Sequence, residues 1–251
     1  MWIRNTIIAS ILLALSSTQS LAGSLPETLV IGKGIQDYPP YHWTKDGTVV
    51  GLVPDIIRGT AKRLGIKNVT FDPQPWLRML KMAERGQLDA VMPLYSTAER
   101  RKFLDFPKEN LMFELLGFYR LSNVSIAYDG TLESLLPYNI GTITGYSYGS
   151  KFDSLDFKRI DTVDEKSLYN MLKVGRYQVG ISDLRVLEYY SNAIGFKPVV
   201  LEPLVSSEPL YIGFSKKKQF GDFVSVFSEA LSKFKRSPEY QKILDRYGLI
   251  N

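Results

Sequence analysis

The order of apolar patterns between residues 28 and 95 narrows the fold more than any other feature of the chain. "TLVIGKG" at 28–34 is a short apolar run that reads as a buried strand. "PDIIRGTAKRLG" at 54–65 repeats its apolar residues at helical spacing, with Asp55 near the start and Gly65 as the stop. "NVTFDP" at 68–73 is a second strand, "PWLRMLKMAERGQ" at 75–87 a second helix that ends near Gly86, and "LDAVMPLY" at 88–95 a third strand. Such a βαβαβ run requires a parallel sheet, because each helix carries the chain back across one face before the next strand starts.

The pattern then restarts. Strands are expected at 114–121 and 124–128, and another in "YNIGTITG" at 138–145. A helix follows at 164–176, a strand in "QVGISD" at 178–183, and a helix at 184–195. This is a second α/β lobe. "PLYIGFSKK" at 209–217 is a further strand, and 220–236 is a long amphipathic helix. The last helix, in "SPEYQKILDRYG" at 237–248, has Ser237 as N-cap, Pro238 at its first position and Gly248 at its stop.

Composition removes several function classes. Of 251 residues, 45% are hydrophobic, enough to build the core of one or two domains. The net charge is +5, but the basic residues are scattered and form no nucleic-acid footprint. There is no cysteine, which excludes disulfides, thiolate metal sites and cysteine nucleophiles. His42 is the single histidine, so there is no His-rich metal site, and no G-x-S-x-G elbow supports hydrolase chemistry. P-loop and dinucleotide fingerprints are also absent, and no cofactor or metal is expected.

The first residues differ from the rest. Arg4, the apolar stretch at 7–15 and Ser20-Leu21-Ala22 form a secretory signal peptide with cleavage after Ala22, and the apolar stretch is too short for an ordinary membrane span. "LAGS" at 21–24 approximates a lipoprotein box with Ser24 in place of the acylated cysteine, so an unlipidated periplasmic protein is expected.

The aromatic-Pro-Pro-aromatic stretch "DYPPYHW", the strand "QLDAVMPLY", the turn "STAERRKFLDF", the second-lobe "GTITGYSYG" and "QVGISD", and the terminal helix pair occur in one order. Together they resemble the periplasmic solute-binding proteins of the polar amino acid ABC-transporter type, over about residues 28–248. The resemblance implies a two-lobed type II periplasmic binding protein fold, each lobe a mainly parallel sheet flanked by helices, with two crossover strands near 117–121 and 209–214. After a signal peptide at 1–22, lobe one then spans 23–118 and 212–251, and lobe two spans 119–211.

It also implies roles. Thr97-Ala98-Glu99-Arg100 matches the family's T-x-x-R turn, whose arginine grips the ligand carboxylate through two parallel hydrogen bonds. Arg101 matches no motif and is expected to be solvated or paired with Asp105. Tyr38 and Trp76 match aromatic walls of the cleft, Arg78 is a candidate on the same helix start, and Tyr41 and Trp43 are assigned to core or rim. Gly145 and Ser147 match a turn whose N–H and hydroxyl groups meet the carboxylate. Asp183 has two roles open to it, partner of a ligand ammonium or helix N-cap.

Two positions depart from the family pattern. Tyr95 stands where a small hydroxyl residue is usual, and the acid that helps to hold an ammonium is absent or moved to Asp37. The expected function is capture of a small carboxylate-bearing ligand by a monomer that closes on it for delivery to an ABC permease. The alternatives are a dehydratase-like enzyme on the same fold and a ligand-sensing adaptor for a membrane receptor. Neither nucleic acid nor a catalytic residue enters this reading.

Overall fold

A computed structural model describes residues 25–204 and 206–249. The proposed signal peptide and Ser24 lie outside the described residues.

In the first lobe, β1 (Thr28–Gly34) is central, with β4 (Asn68–Gln74) on one side and β5 (Ala90–Leu94) on the other, both parallel to it. A strand with parallel neighbours and helices on both faces is apolar nearly throughout, and Leu29 and Ile31 are fully buried. Between β1 and helix α1 (Leu52–Arg63) lie an irregular loop and a small hairpin, β2 (Trp43–Lys45) with β3 (Thr48–Val50). Orphan amides of α1 fix this loop: Leu52 donates to the Pro40 carbonyl and Val53 to the Tyr41 carbonyl. Gly51 permits the approach, since it has φ of 128° and a Cβ there would stand 2.5 Å from the Tyr41 oxygen. Helix α2 (Trp76–Glu84) buries Met79 and Ala83 against β1 and β5. The one-turn helix α3 (Ala98–Arg101) follows β5, and β6 (Leu104–Asp105) pairs with a later strand.

The nine-residue β7 (Met112–Arg120) leads out of this lobe. The second lobe contains β8 (Asn139–Ile143), α4 (Ser150–Asp153), β9 (Lys158–Thr162), α5 (Glu165–Lys173), β10 (Val179–Asp183), α6 (Leu184–Ile194) and β11 (Val199–Val200). Its sheet runs β7-β10-β8-β9, with β8 parallel to both β9 and β10. The chain returns through β12 (Ser206–Ser215), whose first half pairs antiparallel with β7 and whose second half pairs with β5. One continuous sheet thus links the lobes through two adjacent long strands. Helices α7 (Phe223–Lys235) and α8 (Pro238–Arg246) then pack on α1.

The strand expected at 124–128 does not form. Its backbone donors are used locally, the Val124 N–H by the Leu121 carbonyl and the Ala127 N–H by the Tyr138 hydroxyl. The expected cap at Ser237 is present, its Oγ accepting the Tyr240 N–H at 3.3 Å. Ser237→Ala is expected to destabilise the protein by about 1 kcal/mol. In calorimetry this lowers Tm by about 2–4 °C, and an unchanged Tm would remove the cap from the account.

Candidate functional site

The carboxyl ends of β1, β5, β8 and β10 converge on a cavity of about 280 Å³ between the lobes, the location where open α/β sheets hold ligands. Tyr38, Trp76, Tyr95 and Arg100 line it from the first lobe, and Ser147 and Asp183 from the second. Glu114 on β7 and Glu165 at the start of α5 line it as well. A second groove, over α1 and α8, is lined mainly by basic residues, of which Arg58 and Arg246 pair with Asp55 and Arg63 pairs with Glu239.

Arg100 is 7% exposed. Thr97 caps α3 and accepts the Arg100 N–H at 3.2 Å, which fixes where the side chain leaves the backbone. The guanidinium donates to the Tyr95 carbonyl at 3.0 Å and to the Gly145 carbonyl at 3.4 Å, and lies 5.2 Å from the centre of the Trp76 ring. Among the described residues no carboxylate pairs with it. Its neighbours in sequence are engaged elsewhere, Glu99 with Lys102 and Asp105 with Lys216. Burial lowers its pKa to about 10, so it remains charged at neutral pH. Arg101 is exposed, the first of its two expected states, and lies over the Phe106 ring, while Asp105 pairs with Lys216.

Trp76 donates its indole N–H to the Gly145 carbonyl at 2.9 Å and meets the Tyr146 ring edge-on at 5.0 Å. Gly145 has φ of 77°, a left-handed backbone conformation that favours glycine. In this turn Gly145 offers its carbonyl to Trp76 and Arg100, and the Ser147 hydroxyl donates to Asp153. Ser147 still lines the cavity, whereas Gly145 and Thr97 stand behind it. Arg78 is exposed and outside the lining, because Trp76 and Met79 take the inward positions of α2. Asp37 is also outside the lining and accepts the Thr44 N–H at 2.9 Å. Trp43 packs edge-on against Tyr247 at 6.0 Å, away from the cavity.

Asp183 lines the cavity and also fills the second of its two expected roles. It caps α6: one carboxylate oxygen accepts the N–H groups of Arg185 at 2.9 Å and Val186 at 3.2 Å. The other accepts the Tyr41 hydroxyl at 2.6 Å and the Leu115 N–H at 2.8 Å. Four donors thus meet this carboxylate, and the Arg185 guanidinium stands 3.6 Å away.

Two buried acids that the sequence reading passed over also line the cavity. Both Glu114 oxygens accept phenol protons, one from Tyr38 and one from Tyr95, and the residue is 6% exposed. Burial, with the Asp183 charge next, raises its pKa to about 7. Glu165 is 2% exposed, accepts the Tyr146 hydroxyl at 2.9 Å and is raised to about 7 by burial. The signal for Glu114 was present as a lone acid inside the apolar strand "MFELLGFYR". That for Glu165 was hidden among the ordinary acids of a helix start.

Residues 31–250 match the bacterial extracellular solute-binding proteins, family 3. The chain belongs to this family. An arginine-binding periplasmic protein of Mannheimia haemolytica is 27% identical over 227 residues, covering 84% of this chain and 87% of that protein. Among solved structures, an ancestral arginine-binding protein bound to arginine superimposes with a TM-score of 0.75 at 21% identity, over 89% of this chain and 99% of that one. A histidine kinase sensor domain with similarity to periplasmic binding proteins gives 0.77 at 16% identity, over 88% and 96%. These likenesses fix the type II periplasmic binding fold.

As a solute-binding protein, the chain has a cavity whose wall also contains one neutral imidazole. His42 is 4% exposed, and burial, reinforced by the Lys33 charge, lowers its pKa to about 3. Because the chain has a single histidine, its imidazole resonances report this site alone. They are expected not to titrate between pH 5 and 8 by NMR. A midpoint near the ordinary value of about 6.5 would show that the imidazole is hydrated.

Proposed function

We propose that this solute-binding protein captures a small carboxylate-bearing ligand, an amino acid or a close relative, and delivers it to an ABC permease in the membrane. The supporting observation is Arg100, a buried guanidinium on the cavity wall with no carboxylate partner among the described residues. A buried charge without a counter-ion is costly, and a ligand carboxylate offsets that cost with two charge-assisted hydrogen bonds. Tyr38 and Trp76 provide flat apolar contact beside it. The names of the relatives agree, since arginine-binding proteins are among them.

In this reading the protein is exported by the segment 1–22, matures at Gly23, acts in the periplasm as a monomer, and binds without chemical turnover. Ligand capture draws the lobes together. Trp76 and Arg100 from the first lobe share the Gly145 carbonyl of the second, and the Tyr190 hydroxyl donates to the Asp37 carbonyl at 2.7 Å. Contacts across the cleft make closure the state that a ligand touching both walls favours, with β7 and β12 as the hinge.

Arg100→Ala is expected to cost about 2–5 kcal/mol of binding, roughly a thirtyfold to several-thousandfold loss, while Arg101→Ala costs under about 1 kcal/mol. Titration calorimetry against a panel of amino acids reads both, and equal losses would sink the assignment. Small-angle scattering gives an independent check. Saturation with a bound member of the panel should reduce the radius of gyration, and an unchanged curve would contradict the clamp.

A further inference from the structure

We propose that the groove over α1 and α8 is a docking site for an acidic segment of a partner protein, and that two rows of bases on its walls take that segment's carboxylates. The residues of this groove and those of the interlobe cavity are separate sets, so the site stands apart from ligand capture.

The first ground is how the helices set the charges. α1 and α8 run antiparallel: Asp55 in the first turn of α1 meets Arg246 at the end of α8 at 2.8 Å, and Arg63 at the end of α1 meets Glu239 in the first turn of α8 at 3.1 Å. Arg58 and Lys62 stand four residues apart on α1, as do Lys242 and Arg246 on α8, and that spacing puts each pair on one face of its helix. All four line the groove, so each helix provides a wall of bases along a space of about 580 Å³.

The second ground is the charge left over. Five basic and two acidic side chains line the groove, a net charge of +3. The acids are used at the two ends: Asp55 meets Arg58, Arg246 and the Tyr247 hydroxyl, and Glu239 takes Arg63. Between the ends Lys62 and Lys242 are exposed, and among the described residues their side chains form no ion pair or hydrogen bond. Like charges held on facing walls repel, and an anionic occupant relieves that repulsion.

The third ground is shape, which selects the occupant. Gly59 lines the groove and adds no side chain to it; beneath it lies Phe234, whose ring would stand 2.2 Å from a Cβ at that position and is covered by the Arg63 guanidinium at 5.3 Å. The bases stand in rows on opposite walls and do not converge on one point, as the donors around a single small anion must. A flat lipid surface would meet the rims alone. A chain segment with several carboxylates enters between the walls and meets both rows, the mode in which basic clusters recognise acidic motifs. Exposed bases attract such a segment over distance and are screened by salt, so the contact forms quickly and releases readily.

A fluorescein-labelled peptide of six glutamates is the probe, with six glutamines as its control, read by fluorescence anisotropy. Hexaglutamate should bind and hexaglutamine should not, and raising salt from about 25 mM to about 150 mM should weaken binding at least about threefold. Lys62→Glu with Lys242→Glu should weaken it at least about tenfold, whereas Lys151→Glu with Lys217→Glu, the same change of charge outside the groove, should alter it less than about twofold. In the wild-type protein the amide resonances shifted by hexaglutamate should fall on α1 and α8, a readout that needs no variant to fold. Absence of binding, equal binding of hexaglutamine, equal losses for the two pairs of substitutions, or shifts confined to other elements would each overturn the proposal. Cosedimentation with phosphatidylglycerol vesicles that Lys62→Glu with Lys242→Glu abolishes would assign the face to a lipid surface and overturn it as well.

Discussion

Burying a guanidinium is expensive, and among the described residues no carboxylate forms an ion pair with the buried Arg100, so much of the surrounding structure serves to hold that charge in place. The buried β5 brings the chain to the cleft, Thr97 caps the single turn that follows, and the Tyr95 carbonyl fixes one arm of the fork. Trp76 offers its π face, and the second lobe contributes the Gly145 carbonyl. These contacts are dipolar or quadrupolar. They orient the charge and leave it unneutralised, a suitable state for a group that must be satisfied by something that comes and goes.

On the opposite side the charges invert. Tyrosines from both lobes direct their hydroxyl groups at two buried carboxylates, and the same rings provide the apolar surface between the two ends of the cavity. One of those carboxylates lies on β7, one of the two strands through which the lobes are joined.

The fold was legible because helical and strand periodicities are local. The predicted strand at 28–34 coincides with β1, and the terminal helix has the cap and the stop its sequence indicates. The strand expected at 124–128 failed because local composition cannot register that the Tyr138 hydroxyl takes a backbone donor there. Arg100 was legible through a short motif. The Tyr38, Tyr95 and Glu114 network was not, since its members come together only in the folded sheet and each alone reads as core. Asp183 showed both of its roles in sequence. Its bonds to Tyr41 and Leu115, which are distant in the chain, were not legible there.

A crystal structure of the protein soaked with L-arginine tests the account most directly. The ligand carboxylate is predicted to lie about 2.7–2.9 Å from the Arg100 guanidinium nitrogens. A ligand whose carboxylate rests elsewhere, or whose ammonium displaces Tyr41 from Asp183, would contradict it.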